Sequence, residues 1–168
     1  MFTTDEVRAI SIFSTIPGAD LERLANSAAD IQLAAGEFAV HEGDERAFYA
    51  VISGKFEVVK LFDGIARTLG WRAPGTIFGE VPLALGTPFP AGYRAAELSR
   101  VLRLDARQYY AVAAATPDFA LKMGALARER IGGLQKLSEE PPKARVKILG
   151  HRWDNACSIC AGSSPAIR

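Results

Sequence analysis

The chain has 168 residues, of which 49% are hydrophobic and 23% are charged, a balance typical of globular rather than disordered proteins. Twenty Lys and Arg against nineteen Asp and Glu give a net charge of +1, so no overall field favours nucleic acid or an anionic membrane as a partner. At this length the sequence predicts one main domain, residues 1–138, and a short second segment, residues 139–168.

The amino terminus, MFTTDEVRAI, carries acidic residues where a secretory signal would carry basic ones. No apolar run is long enough to cross a bilayer. We therefore expect a cytoplasmic protein that binds neither membrane nor nucleic acid. Both cysteines, Cys157 and Cys160, lie near the carboxyl end, so we expect no disulfide framework in the main domain.

Two helices are predicted at the start of the chain. Thr3 and Glu6 have the spacing of a capping box, and apolar residues follow at helical spacing as far as Ile16, before Pro17-Gly18. The segment ADLERLANSAAD, residues 19–30, predicts a second short helix with its apolar residues on one face.

Residues 31–104 have the pattern of a compact all-β sandwich or barrel. Short runs of β-branched and aromatic residues alternate with turn signals such as Gly43-Asp44 and Ser53-Gly54. The run KFEVVKLF is largely apolar on both faces, so we expect a strand there that is buried twice. Strands are predicted in the runs 37–40, 48–52, 55–62, 65–71, 76–78 and 100–104.

Two more helices are predicted after the strands. Asp105 is a good N-cap for residues 106–116, and Pro117 disfavours continuation of that helix. A longer helix, residues 118–138, carries an apolar stripe that covers one side of the barrel, forms a homodimer seam, or does both. The stripe consists of Phe119, Met123, Leu126, Ala127, Ile131, Leu134 and Leu137.

The order of these elements and two glycine-rich stretches resemble the cyclic nucleotide-binding domain family over about residues 5–138. The stretches are GEFAVHEGDERAFYAVISG, residues 36–54, and FGEVPLALGTP, residues 78–88. The resemblance implies a mainly β jelly-roll barrel with flanking helices, and a regulatory or sensor role. The glycines also have an architectural explanation, because tight turns between strands need residues that tolerate positive φ.

In family members that bind cyclic AMP or cyclic GMP, a Gly-Glu pair faces the ribose, and Gly79 and Glu80 match that pair. Glu80 has an alternative role as a cap of the turn LALG. The family holds the cyclic phosphate with an arginine and two backbone amides, whereas Pro82, Phe89 and Pro90 stand at those three positions. The resemblance gives as candidate ligand-binding residues Phe78, Gly79, Glu80, Val81, Phe89, Ala91, Gly92 and Arg94.

The loss of an arginine and two amide donors would cost about 4–8 kcal/mol of binding free energy, or about three to six powers of ten in affinity. Arg94 is either a replacement phosphate clamp or a solvent-facing arginine, because its odd offset from Phe89 points the two side chains to opposite faces of a strand. The loop around Phe89 either forms an apolar pocket or stays closed, stiffened by its prolines.

The carboxyl-terminal segment carries a second, weaker resemblance. Residues 144–150, ARVKILG, are typical of a buried strand, and Cys157 and Cys160 have the spacing of thioredoxin-like redox motifs. No helix-forming sequence follows them, and His151 is the only nearby imidazole, so a zinc site would lack a ligand. The segment is either the start of a second domain or a tail without consequence. It resembles the segment that joins a cyclic-nucleotide-binding-like domain to a thioredoxin-reductase-like flavoprotein in some bacterial proteins.

Three functions remain open. We expect a regulatory module that controls an attached or separate effector, such as a thioredoxin-reductase-like oxidoreductase, and that has no catalytic site or cofactor of its own. A catabolite-activator-type transcription regulator would need a helix-turn-helix after Leu137, where Pro141-Pro142 and a predicted strand stand instead. A thiol enzyme acting through Cys157 and Cys160 would need a helix after Cys157. The sequence contains no GxGxxG fingerprint for a flavin or nicotinamide.

Overall fold

The computed structural model describes residues 1–139 of the chain, and their side chains as far as residue 132. The structure contains two four-stranded antiparallel sheets, with helices before the first strand and after the last strand of the chain. This architecture confirms the predicted fold class. A 3₁₀ turn spans Ser11–Phe13. The helices and strands are α1 Thr4–Arg8, α2 Gly18–Ser27, β1 Ala29–Leu33, β2 Phe38–Val40, β3 Ala47–Ser53, β4 Phe56–Phe62, β5 Ile65–Arg72, β6 Ile77–Phe78, α3 Glu80–Leu85, β7 Gly92–Ala95, β8 Ser99–Asp105, α4 Ala106–Ala115 and α5 Pro117–Glu139.

The two sheets have the strand orders β1-β8-β3-β6 and β2-β7-β4-β5. Alternate side chains of β3 enter two different cores, as the two-residue period of a strand requires. Tyr49 and Val51 belong to a core between the two sheets, whereas Phe48 and Ala50 pack against the helices. Strand β3 is therefore buried on both faces, with the barrel interior on one side and the helices on the other.

The amino-terminal helix forms as predicted but is shorter. Thr3 Oγ1 accepts a hydrogen bond from the Glu6 amide, and Glu6 Oε2 accepts one from the Thr3 amide at 2.8 Å, which completes the capping box. Helix α1 ends at Arg8, and Ile10, with ψ of 116°, has an extended backbone from which the 3₁₀ turn begins. This bend brings the Phe13 ring to 5.6 Å from the Phe48 ring.

The two carboxyl-terminal helices meet at Thr116. Asp105 and Gln108 form a capping box at the start of α4, and Thr116 adopts an extended conformation before α5 begins at Pro117. Phe119 and Met123 are buried against the helix-facing core, so the stripe covers the barrel over its first turns. The dimer seam stays a prediction, and the side chains of Leu134 and Leu137 lie outside the described residues.

Two strand predictions were incomplete. Strand β1 was missed, because its sequence, ADIQL, is half polar. The predicted second helix extended to Asp30, whereas α2 ends at Ser27 and β1 begins at Ala29. Strand β4 is not buried on both faces along its whole length, since the Leu61 side chain is 58% exposed. A register shift against β5 lies between Val58 and Val59, and both valines are buried there.

No helix within residues 1–139 is both long enough and apolar enough to span a bilayer. The predicted strand 144–150 and the cysteines Cys157 and Cys160 lie outside the described residues, as does nearly all of the predicted second segment.

Candidate functional site

The Gly-Glu pair lies at the corner where β6 turns into α3. Gly79 has φ of 95° and occupies the N-cap position of α3. A Cβ at this position would lie 2.0 Å from the Ala47 carbonyl oxygen and 3.2 Å from Phe89 Cζ. Because any side chain would clash with the β3 backbone, glycine is required here for close packing as well as for its φ.

Glu80 is the first residue of α3 and is 3% exposed. Its Oε1 accepts a hydrogen bond of 2.6 Å from Arg130 on α5, and the same arginine nitrogen donates to the Ile77 carbonyl at 2.9 Å. Among the described residues, Glu80 Oε2 has no hydrogen-bond partner although it is buried. Glu80 therefore ties α3 to α5 and keeps one acceptor oxygen free.

Arg130 was not predicted as a site residue. Its pairing partner is 50 residues away in the chain, and the stripe on α5 indicated only which apolar side chains face the barrel. The alternative role of Glu80 as a turn cap receives no support, because its Oε1 bonds to Arg130 and its Oε2 has no partner among the described residues.

Tyr93 lies beside these charged groups. Burial raises the pKa of its hydroxyl, and the Glu80 carboxylate raises it further, while Arg72 and Arg130 act in the opposite direction. Arg72 Nε is itself buried without a hydrogen-bond partner among the residues that the structure describes. Glu80, Arg130, Tyr93 and Arg72 form what we call the polar cluster.

Four aromatic rings fill the space between the sheets next to the polar cluster. The Phe78 ring stacks on Tyr49 and Tyr93, with centroid separations of 4.7 Å and 4.1 Å. Phe89 is 2% exposed and meets Tyr49 and Tyr93 edge-on at 6.0 Å and 5.9 Å. We call Tyr49, Phe78, Phe89 and Tyr93 the aromatic stack. Phe89 is thus a core residue at the position where the family resemblance places an arginine.

The loop that carries Phe89 is held in place by hydrogen bonds to neighbouring segments of the chain. The Phe89 amide donates to the Asp44 carbonyl at 3.0 Å, and the Phe89 carbonyl accepts from the Gly43 amide at 2.9 Å. Lys60 Nζ donates to the Pro90 carbonyl and to Glu42, each at 2.7 Å. The loop therefore holds its shape through contacts within the protein.

Pro82 is accommodated because it is the third residue of α3. An amide at this position has no carbonyl acceptor inside the helix, so proline interrupts no helical hydrogen bond. The Pro82 carbonyl accepts from the Gly86 amide and, at 3.1 Å, from the Thr87 amide. The helix keeps its structure while its N-terminus presents one donor fewer.

Three further predicted site residues are buried, and Arg94 lies elsewhere. Tyr93 and Phe89 pack inside the barrel, whereas Arg94 donates from Nε and Nη2 to Glu57 Oε2 at 3.2 Å and 2.6 Å. The structure does not bring Arg94 to Phe89, and this placement fits the solvent-facing alternative. The three buried residues are Val81, Ala91 and Gly92.

The sequence matches the model of a known protein family. The family model for the cyclic nucleotide-binding domain matches residues 30–116, which is more than half of the chain. No curated protein matches the sequence.

Solved structures with the same fold include regulators from bacteria and protists. The sensor domain of the transcriptional regulator DNR from Pseudomonas aeruginosa is 21% identical, with a TM-score of 0.67, over 85% of this chain and 95% of that one. Catabolite Activator Protein from Thermus thermophilus is 25% identical, with a TM-score of 0.66, over 76% of this chain and 61% of that one. The regulatory subunit of a cAMP-independent protein kinase A from Trypanosoma cruzi, bound to guanosine, is 19% identical, with a TM-score of 0.66, over 83% and 51%. The chain thus spans part of the last two proteins. Because the family model matches more than half of its residues, this chain belongs to the cyclic nucleotide-binding domain family.

Proposed function

We propose that this chain is a regulatory module whose barrel does not hold a cyclic nucleotide in the family's usual pose. The observation that carries the proposal is the buried Phe89 ring, packed against Tyr49 and Tyr93, at the position of the phosphate-binding arginine. The module keeps the architecture of a sensor and the ribose-facing acid, Glu80, but lacks the groups that neutralise an anion.

The environment offered to a phosphate supports this proposal. Pro82 and Pro90 have no amide hydrogen to donate, and the Phe89 amide is committed to Asp44 at 3.0 Å. An anion buried without partners loses its hydration and gains nothing in return. On the scale of charge-assisted hydrogen bonds the deficit is about 4–8 kcal/mol.

Isothermal titration calorimetry of the chain with cyclic AMP and cyclic GMP tests the proposal. From a starting dissociation constant of about 1 μM, a loss of about three to six powers of ten would raise the constant to about 1 mM or above, so no saturable heat is expected below that concentration. Saturable binding in the micromolar range by either nucleotide would overturn the proposal.

A second candidate ligand is an uncharged nucleoside. Glu80 Oε2 is buried and has no partner among the described residues, so it can accept a hydrogen bond from a sugar hydroxyl without any need for phosphate contacts. The Trypanosoma cruzi subunit is bound to guanosine, a ligand of this class. Titration with guanosine and adenosine should then give tighter binding than their cyclic phosphates, and the Glu80→Gln variant should weaken it. Equal or tighter binding of the cyclic phosphates would exclude this candidate.

The effector that we propose is a thioredoxin-reductase-like oxidoreductase, attached or separate. The proposal rests on the resemblance carried by residues 144–160, which lie outside the described residues. Reading the gene beyond the codon for Arg168 tests an attached effector directly, since a flavoprotein coding sequence in frame is expected. A helix-turn-helix in that place would favour the transcription-regulator alternative, and disulfide exchange by Cys157 in the isolated chain would favour the thiol enzyme.

A further inference from the structure

A cleft of about 380 Å³ lies between α2 and α4, lined by none of the residues of the aromatic stack or the polar cluster. Its volume falls in the range of small-molecule sites. Leu24 and Val112 contribute apolar surface, and Ala111 and Ala115 leave the space above them open because their side chains are short. The remaining lining residues are Asp20, Arg23, Ser27, Gln108 and Thr116.

Thr116 gives this cleft an unfilled hydrogen-bonding group. It is 6% exposed, and its Oγ1 has no partner among the residues described by the structure. Its backbone is fully used, because the Thr116 amide donates to Val112 at 3.0 Å and its carbonyl accepts from Ala120 at 3.2 Å. Buried hydroxyl groups in folded proteins nearly always have a partner, so the Thr116 hydroxyl is free to bond to a polar group that reaches it from the cleft.

The charges at the cleft are already compensated. Arg23 forms an ion pair with Asp20 one helical turn away. Gln108 Nε2 donates to the Ser27 carbonyl, and its Oε1 accepts from the Asp105 amide, each at 2.8 Å. An ionic ligand would therefore find no free counter-charge in the cleft, whereas a neutral one would face mostly carbon.

We propose that the cleft binds a small uncharged molecule, mostly apolar, whose single hydroxyl or carbonyl group hydrogen-bonds to the Thr116 hydroxyl. The site is independent of the barrel and of its proposed function. Thr116 is also the residue at which α4 ends and α5 begins. A bound molecule would contact α2, α4 and this junction together, and would stabilise the bend between the last two helices.

Titration with cyclohexanol, followed by NMR of the full chain, tests the proposal. We expect saturable shifts at the Leu24 and Val112 methyl groups and at the Thr116 amide, and none with cyclohexanecarboxylate, which has the same ring and a charge. Ala111→Leu should abolish the shifts by filling the cleft. Ala114→Leu, on the same helix but away from the lining, is the matched control and should leave them unchanged.

The variant Thr116→Val keeps the shape of the side chain and removes the hydroxyl, so cyclohexanol should bind about fivefold more weakly, the effect of one neutral hydrogen bond. Three results would overturn the proposal: no saturable shift with cyclohexanol, the same shifts in Ala111→Leu, or equal affinity in Thr116→Val. Calorimetry with cyclic nucleotides tests binding in the barrel separately. A negative result at one site therefore leaves the proposal for the other site unchanged.

Discussion

Arg130 and Glu80 are 50 residues apart in the chain, and the distance between Arg130 Nη1 and Glu80 Oε1 is 2.6 Å. The Glu80 side chain is 4% exposed and that of Arg130 is 25% exposed. The carboxylate is therefore the more deeply buried partner, and the arginine is its ion-pair partner. This pair connects the helix of the predicted ligand-binding segment to the long helix that ends the described chain.

Removing the arginine should leave a buried carboxylate unpaired. We expect Arg130→Met to lower the free energy of unfolding by about 2–4 kcal/mol, because loss of one partner of a buried pair leaves an uncompensated charge. Urea unfolding measures the change, with Arg128→Met on the same helix as the exposed control. The double variant with Glu80→Gln should recover part of the loss. An effect of Arg130→Met no larger than that of the control would contradict the role of the pair.

Restoring the family's phosphate-binding residues should raise the affinity for cyclic AMP and lower the stability of the fold. In Phe89→Arg combined with Pro90→Ala, cyclic AMP should bind at least about tenfold more tightly than in the original chain, because an arginine and an amide donor return. The free energy of unfolding should fall by about 2–4 kcal/mol, since a charge replaces a ring in the aromatic stack. Calorimetry and urea unfolding measure the two changes. Phe89→Leu is the control, which should lose stability without gaining affinity.

Two glycines with positive φ should respond differently to alanine. At Gly79 an added Cβ would meet the Ala47 carbonyl oxygen at 2.0 Å, whereas at Gly86 nothing lies within 4 Å. We expect Gly86→Ala to cost about 1 kcal/mol of unfolding free energy for backbone strain alone, and Gly79→Ala to cost clearly more, about 3 kcal/mol or above. Thermal and urea unfolding compare them. Similar losses in both variants would show that the corner between β6 and α3 is loosely packed.

Asp30 should make stability depend on pH in the acid range. Hydrogen bonds from Arg100 and from the terminal ammonium group lower the pKa of Asp30 from 3.8 to about 2. Because the folded pKa lies below the unfolded one, the stabilisation is complete above about pH 4 and is lost as the pH falls toward 2. The size of the shift corresponds to about 2 kcal/mol. Urea unfolding of the original chain and of Asp30→Asn between pH 5 and pH 2 should show their difference shrinking in that window. A constant difference would contradict this account.

Local patterns predicted most of the fold because most of it depends on local rules. The capping residues Thr3 and Asp105, and the break at Pro117, act within a few residues of themselves, so the sequence alone locates the starts of α1 and α4 and the end of α4. Strand β1 escaped prediction because Asp30 and Gln32 interrupt its apolar pattern, while its backbone pairs with β8 along its whole length. Long-range pairing is not visible in a short window of sequence.

The candidate site was predicted less completely, for the same reason. The resemblance located Gly79, Glu80 and Phe89, but the contacts of Glu80 depend on Arg130, which approaches from another element. Helix α3 was also unexpected, since a proline within six residues disfavours a helix by local rules. It forms because Pro82 occupies the first turn, where the missing amide breaks no hydrogen bond.

Phe78 belongs to one sheet, Tyr93 belongs to the other, and their rings stack at 4.1 Å. The ring stack therefore joins the two sheets, and the sheets cannot separate without breaking it. Amide hydrogens in β3 and β7 should exchange with solvent through one common opening event rather than two separate ones. In such a domain the ring stack packs the barrel interior permanently, so the barrel unfolds cooperatively whether or not a ligand is bound.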